Sequence, residues 1–184
     1  MFQRLRGLVL AGALLALLSV PWLHGQDRAP GRAIPAVLKV PAGHKLLLRA
    51  EAKGVQIYQS VAGKDGKLAW SLEAPLADLF DRGGKKLGYH YVGPSWEAGD
   101  GSKVVRDTDM AVKSAAAPND DRDIPWLLIK VKPADDRKGA FAATVYIQRV
   151  ETKGGKPPAT PPVRAGTRVG VPYRAVYLFH GRAS

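Results

Sequence analysis

The sequence predicts an all-β fold, a single-domain antiparallel sandwich or flattened barrel of about ten short strands with one short helix. Three observations point there. Short runs of apolar and β-branched residues recur between turn residues from Ala36 onward. The 184 residues include 20 Gly and 14 Pro, more than most helical folds use. With 46% hydrophobic and 24% charged residues the composition is globular, and a chain of this size buries a core without the cross-links that its lack of Cys excludes.

The N-terminus reads as an export signal. Met1 to Gly7 carries Arg4 and Arg6 and no acid, and Leu8 to Val20 (LVLAGALLALLSV) is an apolar stretch, which together have the form of a signal-peptide n-region and h-region. The stretch falls short of the roughly 18 residues that argue for a spanning helix, and Pro21 ends any helix there. Residues 1–25 are therefore expected to be a cleaved signal peptide, 26–35 a flexible lead-in and 36–184 one β domain. The mature chain is expected to be periplasmic or secreted, monomeric and without an integral membrane span.

The candidate strands follow in order as Ala36–Val40, Lys45–Ala52, Val55–Val61, Leu68–Leu72, Lys86–Val92, Ser102–Arg106, Met110–Ala115, Trp126–Lys132, Ala140–Val150 and Arg174–His180. Two turns are explicit, Gly63-Lys64-Asp65-Gly66 and Asp100-Gly101, both with Gly where positive φ is needed. Alternation at Val55, Ile57, Gln59 and Val61, and at Leu68, Trp70 and Leu72, has the period of a strand. Ala74 to Gly83 instead predicts one or two helical turns, because Leu76, Leu79 and Phe80 fall at i, i+3 and i+4 before Gly83-Gly84. Thr152 to Gly166 is a Pro/Gly-rich loop placed to close one end of the sheet.

Five phrases, in order, carry a family resemblance: GVQIYQ at Gly54–Gln59; GYHYVGPSWE at Gly88–Glu97 with DGSKV at Asp100–Val104; IPWLLIK at Ile124–Lys130; YIQRV at Tyr146–Val150 with TKGG at Thr152–Gly155; and VPYRAVYLF at Val171–Phe179. From about Pro41 to the C-terminus the chain resembles the DUF3455 family of exported bacterial and fungal proteins, which is of unknown function. The resemblance implies membership without an activity. It also implies paired Cys at the positions held here by Ser60 and Val163. Both lack Cys, so packing alone must hold the Thr152–Gly166 loop.

Motifs exclude several chemistries. Neither G-x-G-x-x-G nor G-x-x-x-x-G-K-[ST] occurs in the mature chain, so no dinucleotide or phosphate-loop cofactor is called for, and no cofactor of any kind is expected. The serine elbow G-x-S-x-G is absent; the nearest phrase, Gly93 to Glu97, ends in Glu. His90, Glu97 and Asp100 have no recognised metal-ligand spacing, and no metal is expected. Asn119 to Asp123 resembles a calcium loop but has Ile124 where Gly is needed and Lys130 in place of the bidentate Glu.

What remains is a polar and aromatic set on strand ends: Gln56, Tyr58, His90, Tyr91, Trp96, Glu97, Asp100 and Arg149, with Gln148 and Tyr173. It reads either as core and loop bracing or as a groove where aromatics stack on a ligand and polar groups orient it. Three functional classes stay open: a cofactor-free binding or envelope-associated module, a hydrolase using His90 and Glu97, and a structural or stress-related surface protein without ligand. The net charge of +12 comes from scattered Lys and Arg, which read either as a generally basic surface or as a face for an anionic envelope polymer, while stacking on Trp96 and Tyr91 would suit a hydroxyl-rich one. Export makes nucleic acid an unsuitable partner. If the export reading holds, protein recovered from its native host has the intact mass of a chain starting near Gln26, and full-length protein in the membrane fraction refutes it.

Overall fold

The computed structural model describes residues 32–183; the expected signal peptide and residues 26–31 of the lead-in lie outside the described residues. A short 3-10 turn, Ala36–Leu38, precedes nine strands: β1 His44–Ala62, β2 Leu68–Phe80, β3 Lys86–Tyr91, β4 Ser95–Ala98, β5 Lys103–Arg106, β6 Lys113–Ala115, β7 Trp126–Pro133, β8 Tyr146–Gly154 and β9 Arg168–Arg182. All belong to one antiparallel sheet in the order β5-β4-β3-β2-β1-β9-β8-β7-β6, and β5 also pairs with β7. That last pairing closes eight strands into a ring. β5 meets β7 at Val131–Pro133, while β6 lies further along the same edge, at Trp126–Leu128.

The all-β expectation holds, and of its two alternatives, sandwich or flattened barrel, the structure has the barrel, with nine strands in place of about ten. The helix expected over Ala74–Gly83 is instead the second half of β2 and the turn after it. Pairing decides this: Ala77 lies opposite Gly54 on one side and His90 on the other, so Leu79 points into the barrel and Leu76 out of it. Tertiary pairing here outweighs a helical spacing only three residues deep. Lys45–Ala52 and Val55–Val61 are one continuous strand, Ala36–Val40 holds the 3-10 turn, and Ser95–Ala98, absent from the candidate strands, is a strand.

Period-two alternation splits every strand between lumen and outer face. Inside, Ala50 and Ala52 on β1, Ala77 on β2, Ala98 on β4 and Ala175 on β9 leave room for Trp96, Phe141, Tyr173, Tyr177 and Phe179. Outside, Trp126, Leu128, Val150, Val176 and Leu178 form a second buried cluster under Leu38, and Ile34 and Val40 pack against it. Gln148 Nε2 donates to Leu38 O at 2.7 Å, which fastens the 3-10 turn over this face.

Two glycines mark where neighbouring backbones approach too closely for a side chain. A Cβ at Gly54 would lie 2.1 Å from Leu76 O, and one at Gly88 2.0 Å from Glu97 O. Neither obstacle is a movable side chain. Gly88→Ala is therefore expected to lower stability by about 1–3 kcal/mol through forced backbone shifts, read as a fall in the denaturation midpoint. An unchanged midpoint would show that β3 and β4 can separate without strain.

Candidate functional site

The β3–β4 hairpin carries five of the site residues expected from sequence, or sits beside them. Gly93, at φ 126°, and Pro94 turn the chain tightly, and the register then sets His90 opposite Trp96 and Tyr89 opposite Glu97. Alternation does the rest: His90 and Trp96 face the lumen, while Tyr89, Tyr91 and Glu97 face outward. His90 and Glu97 thus stand on opposite sides of the barrel wall.

Inside, the His90 and Trp96 rings stack at 4.4 Å and 10°, and Tyr177 meets His90 edge-on at 5.1 Å. His90 Nδ1–H donates to Ser95 O at 2.9 Å. Burial lowers the His90 pKa to about 3; the Ser95 carbonyl opposes this and the Arg149 cation adds to it. The imidazole is neutral at physiological pH and too weak a base for proton abstraction near pH 7.

Gln56, Tyr58 and Arg149 share the interior. Tyr58 OH donates to Gly155 O at 2.7 Å, and Arg149 Nε and Nη2 both donate to Pro125 O, at 3.2 and 2.9 Å. Burial raises the pKa of Tyr58, Tyr173 and Tyr177, against a smaller opposing pull from Arg149 in each. All three phenols therefore stay protonated. The Tyr173 and Tyr177 hydroxyls lie 3.5 Å apart. Among the described residues, buried Trp96 Nε1 has no hydrogen-bond partner.

Outside, Tyr91 OH donates to Glu97 Oε2, and Lys103 Nζ sits 4.9 Å from the Tyr91 ring centroid. Lys86 Nζ lies 4.1 Å from the Tyr89 ring centroid and pairs with Asp78 at 2.7 Å. The hydrogen bond to Asp78 is the main cause that raises the Lys86 pKa, and Tyr91 is the main cause at Lys103. Tyr89 is 45% exposed, so one side of this wall offers an accessible aromatic surface.

Asp100 is occupied elsewhere. Its Oδ1 accepts from Ser102 N at 2.9 Å and Ser102 Oγ at 2.6 Å, and its Oδ2 accepts from Ala140 N at 2.8 Å. These bonds, the Ser102 hydroxyl first, lower its pKa. Asp100 ties the β4–β5 turn to the 139–141 segment, where Phe141 N donates to Ser102 Oγ at 3.0 Å.

The eight residues singled out from sequence thus fall into three places: Gln56, Tyr58, His90, Trp96 and Arg149 in the lumen, Tyr91 and Glu97 on the outer wall, and Asp100 in a turn. No group of three or more His, Asp or Glu among the described residues stands ready to hold a metal ion. Gln148 lies on the outer face of β8, where its Oε1 accepts from His180 Nε2 at 2.9 Å. It borders a cleft of about 470 Å³ that Ile34, Val40 and His180 also line, away from the hairpin. Sequence reasoning missed Tyr177, Tyr89, Lys86 and Lys103. A signal existed for two: Tyr89 is two residues from Tyr91, hence on its face, and Tyr177 is four from Tyr173, hence on its face.

Two substitutions read the lumen. Trp96 is fully buried, so Trp96→Ala is expected to cost about 3–5 kcal/mol of stability, measured by chemical denaturation. A loss under about 1 kcal/mol would place the indole outside the core. Because the folded His90 pKa lies below the unfolded value of 6.5, the unfolded chain binds the extra proton. The stability that neutral His90 confers is complete above pH 6.5 and is lost as pH falls from 6.5 towards 3. His90→Gln should flatten that acid limb. An equally steep limb in the variant would assign it to other groups.

A search of curated proteins and a search of solved structures each found no significant match. A family model does match, the one described as a protein of unknown function (DUF3455), over residues 41–181. That span begins just before β1 and ends within β9, so it takes in every strand of the ring. The chain belongs to the DUF3455 family.

Proposed function

We propose that this chain is an exported, cofactor-free binding module, periplasmic or secreted, which presents the outer wall of β3 to β5 to a hydroxyl-rich or anionic envelope polymer. The observation that carries the reading is the pair of outward tyrosines, Tyr89 and Tyr91, set with Glu97, Lys86 and Lys103. Flat rings beside hydrogen-bonding and charged groups suit a polyhydroxylated chain, which offers C–H faces for stacking and hydroxyls for polar contacts. No described helix is long and apolar enough to cross a membrane. The hydrolase alternative would use His90 and Glu97; the burial of His90 in the lumen, with Glu97 on the outer face, supports the binding reading over it.

A second reading, a surface protein without ligand, draws support from the packing of His90 and Trp96 in the lumen. Affinity electrophoresis of the mature protein in gels cast with neutral and acidic polysaccharides separates the two. Under the binding reading, migration is retarded by at least one polymer, and Tyr89→Ala or Tyr91→Ala weakens retardation about tenfold with little change in melting temperature. Absence of retardation, or equal retardation of both variants, would favour the ligand-free protein.

A further inference from the structure

A second feature of the outer wall has no part in the tyrosine surface. On the β5 to β2 side, charges are matched: Lys103 lies opposite Glu97, and Asp78 holds Lys86 at 2.7 Å. On the next three strands the pattern breaks. Lys53 on β1 lies directly opposite Arg174 on β9, and Arg174 lies directly opposite Lys153 on β8. Like charges in direct register across strands repel, so the pairing does not serve the sheet.

The surrounding acids neutralise this row only in part: Asp78 lies opposite Lys53 but is held by Lys86, and the central Arg174 has no acid of its own among the described residues. Arg49 engages Glu51 at 2.9 Å and Glu151 at 3.9 Å, and Asp123 pairs with Lys153 at 3.7 Å. Lys53 Nζ rests 5.2 Å from the Phe80 ring centroid. Among the described residues, no ion pair engages Arg174.

A local irregularity of β8 creates the row. Between the pairs Val150↔Val176 and Lys153↔Arg174, β8 has two residues, Glu151 and Thr152, where β9 has only Ala175. Glu151 takes φ 51°, the one positive-φ residue other than glycine among those described. Thr152 turns inward and its hydroxyl donates to Ile124 O at 2.6 Å. In a regular ladder Thr152 would face Arg174 and Lys153 would point into the lumen. The strained bulge is what brings Lys153 alongside Arg174, and such strain persists where surrounding structure enforces it. The three cations line a cleft of about 400 Å³ together with Gly54, Gly154 and Pro172.

We propose that Lys53, Arg174 and Lys153 bind a phosphate or sulfate group in this cleft. Three adjacent strands span about 10 Å, so the outer two cations close on the central guanidinium at the scale of one tetrahedral oxyanion. Arg174 supplies two parallel N–H donors and the flanking ammonium groups supply charge. The group is either a free anion or an ester on a larger molecule. This site stands independently of the tyrosine surface, and neither proposal falls with the other.

The test is isothermal titration of the mature protein with inorganic phosphate and with sulfate at low ionic strength. Saturable binding near one site per chain is expected, weakened about tenfold or more by Arg174→Gln and by Lys53→Gln. Lys138→Gln, an exposed cation elsewhere, should leave it unchanged. Melting temperatures without anion should not fall in Arg174→Gln, since removing the central like charge relieves repulsion. Co-sedimentation with phosphatidylcholine vesicles containing phosphatidic acid separates the sources. Arg174-dependent sedimentation assigns the group to a lipid headgroup, and phosphate binding without it assigns a soluble anion. No Arg174-dependent binding in either assay, or equal loss in Lys138→Gln, would overturn the site.

Discussion

Three residue pairs, Val104↔Pro133, Val105↔Lys132 and Arg106↔Val131, join β5 to β7 and turn an open meander into a ring. The interior depends on this seam. Trp96 on β4 and Tyr177 on β9 are four strands apart in sheet order, about 19 Å along a flat sheet, yet their rings lie 6.0 Å apart across the lumen. His90 on β3 is three strands from β9, about 14 Å along a flat sheet, and meets Tyr177 by the same curling. Closure also pairs the inner edges that an open nine-stranded sheet would offer to other chains.

A ring this small has a lumen that side chains must fill, and the sequence meets that by asymmetry. Gly54, Ala50, Ala52, Ala77, Gly88 and Ala98 make β1 to β4 thin on the inside, and Trp96, Tyr173, Tyr177 and Phe179 occupy the space so made. The polar groups that share it are kept neutral where they titrate: His90 by a depressed pKa, the three tyrosines by raised ones. Arg149 is the exception, a buried cation whose guanidinium rests on Pro125 O and whose field reaches His90 and all three phenols. The lumen is thus a packed core with polar members, in which an atom such as Trp96 Nε1, without a partner among the described residues, costs about 1–3 kcal/mol.

Most of the fold was legible because strand alternation and turn chemistry are local. The turn at Gly63–Gly66 connects the strands it was expected to connect, and the one at Asp100-Gly101 leads into β5 as expected, though from β4, which was not among the candidate strands. The helix expected at Ala74–Gly83 failed because Leu76, Leu79 and Phe80 also fit a strand with one face in and one face out, and only the partners β1 and β3 decide between them. The division of the site was partly legible as well. A tight turn at Gly93-Pro94 already implies His90 opposite Trp96, and alternation then puts Tyr91 and Glu97 on the other face. What no local pattern contains is the meeting of Lys53, Arg174 and Lys153. These residues are far apart in sequence, and their register depends on a bulge at Glu151 that has no glycine to announce it.

The barrel wall is one strand thick, and this explains how such a row can persist. Each outward residue has inward neighbours that pack independently of its charge, so Lys53 and Arg174 can repel one another while Ala52, Gly54 and Ala175 hold the two backbones together. Exposed charges at strand spacing are screened by water and salt, and their repulsion stays within about 1 kcal/mol, small beside the burial of the lumen aromatics. The inner face therefore sets whether the chain folds, and the outer face is free to carry surfaces that folding does not select. Of the polar features described, those in the lumen answer to packing. The tyrosine wall and the cationic cleft stand where packing makes no such demand.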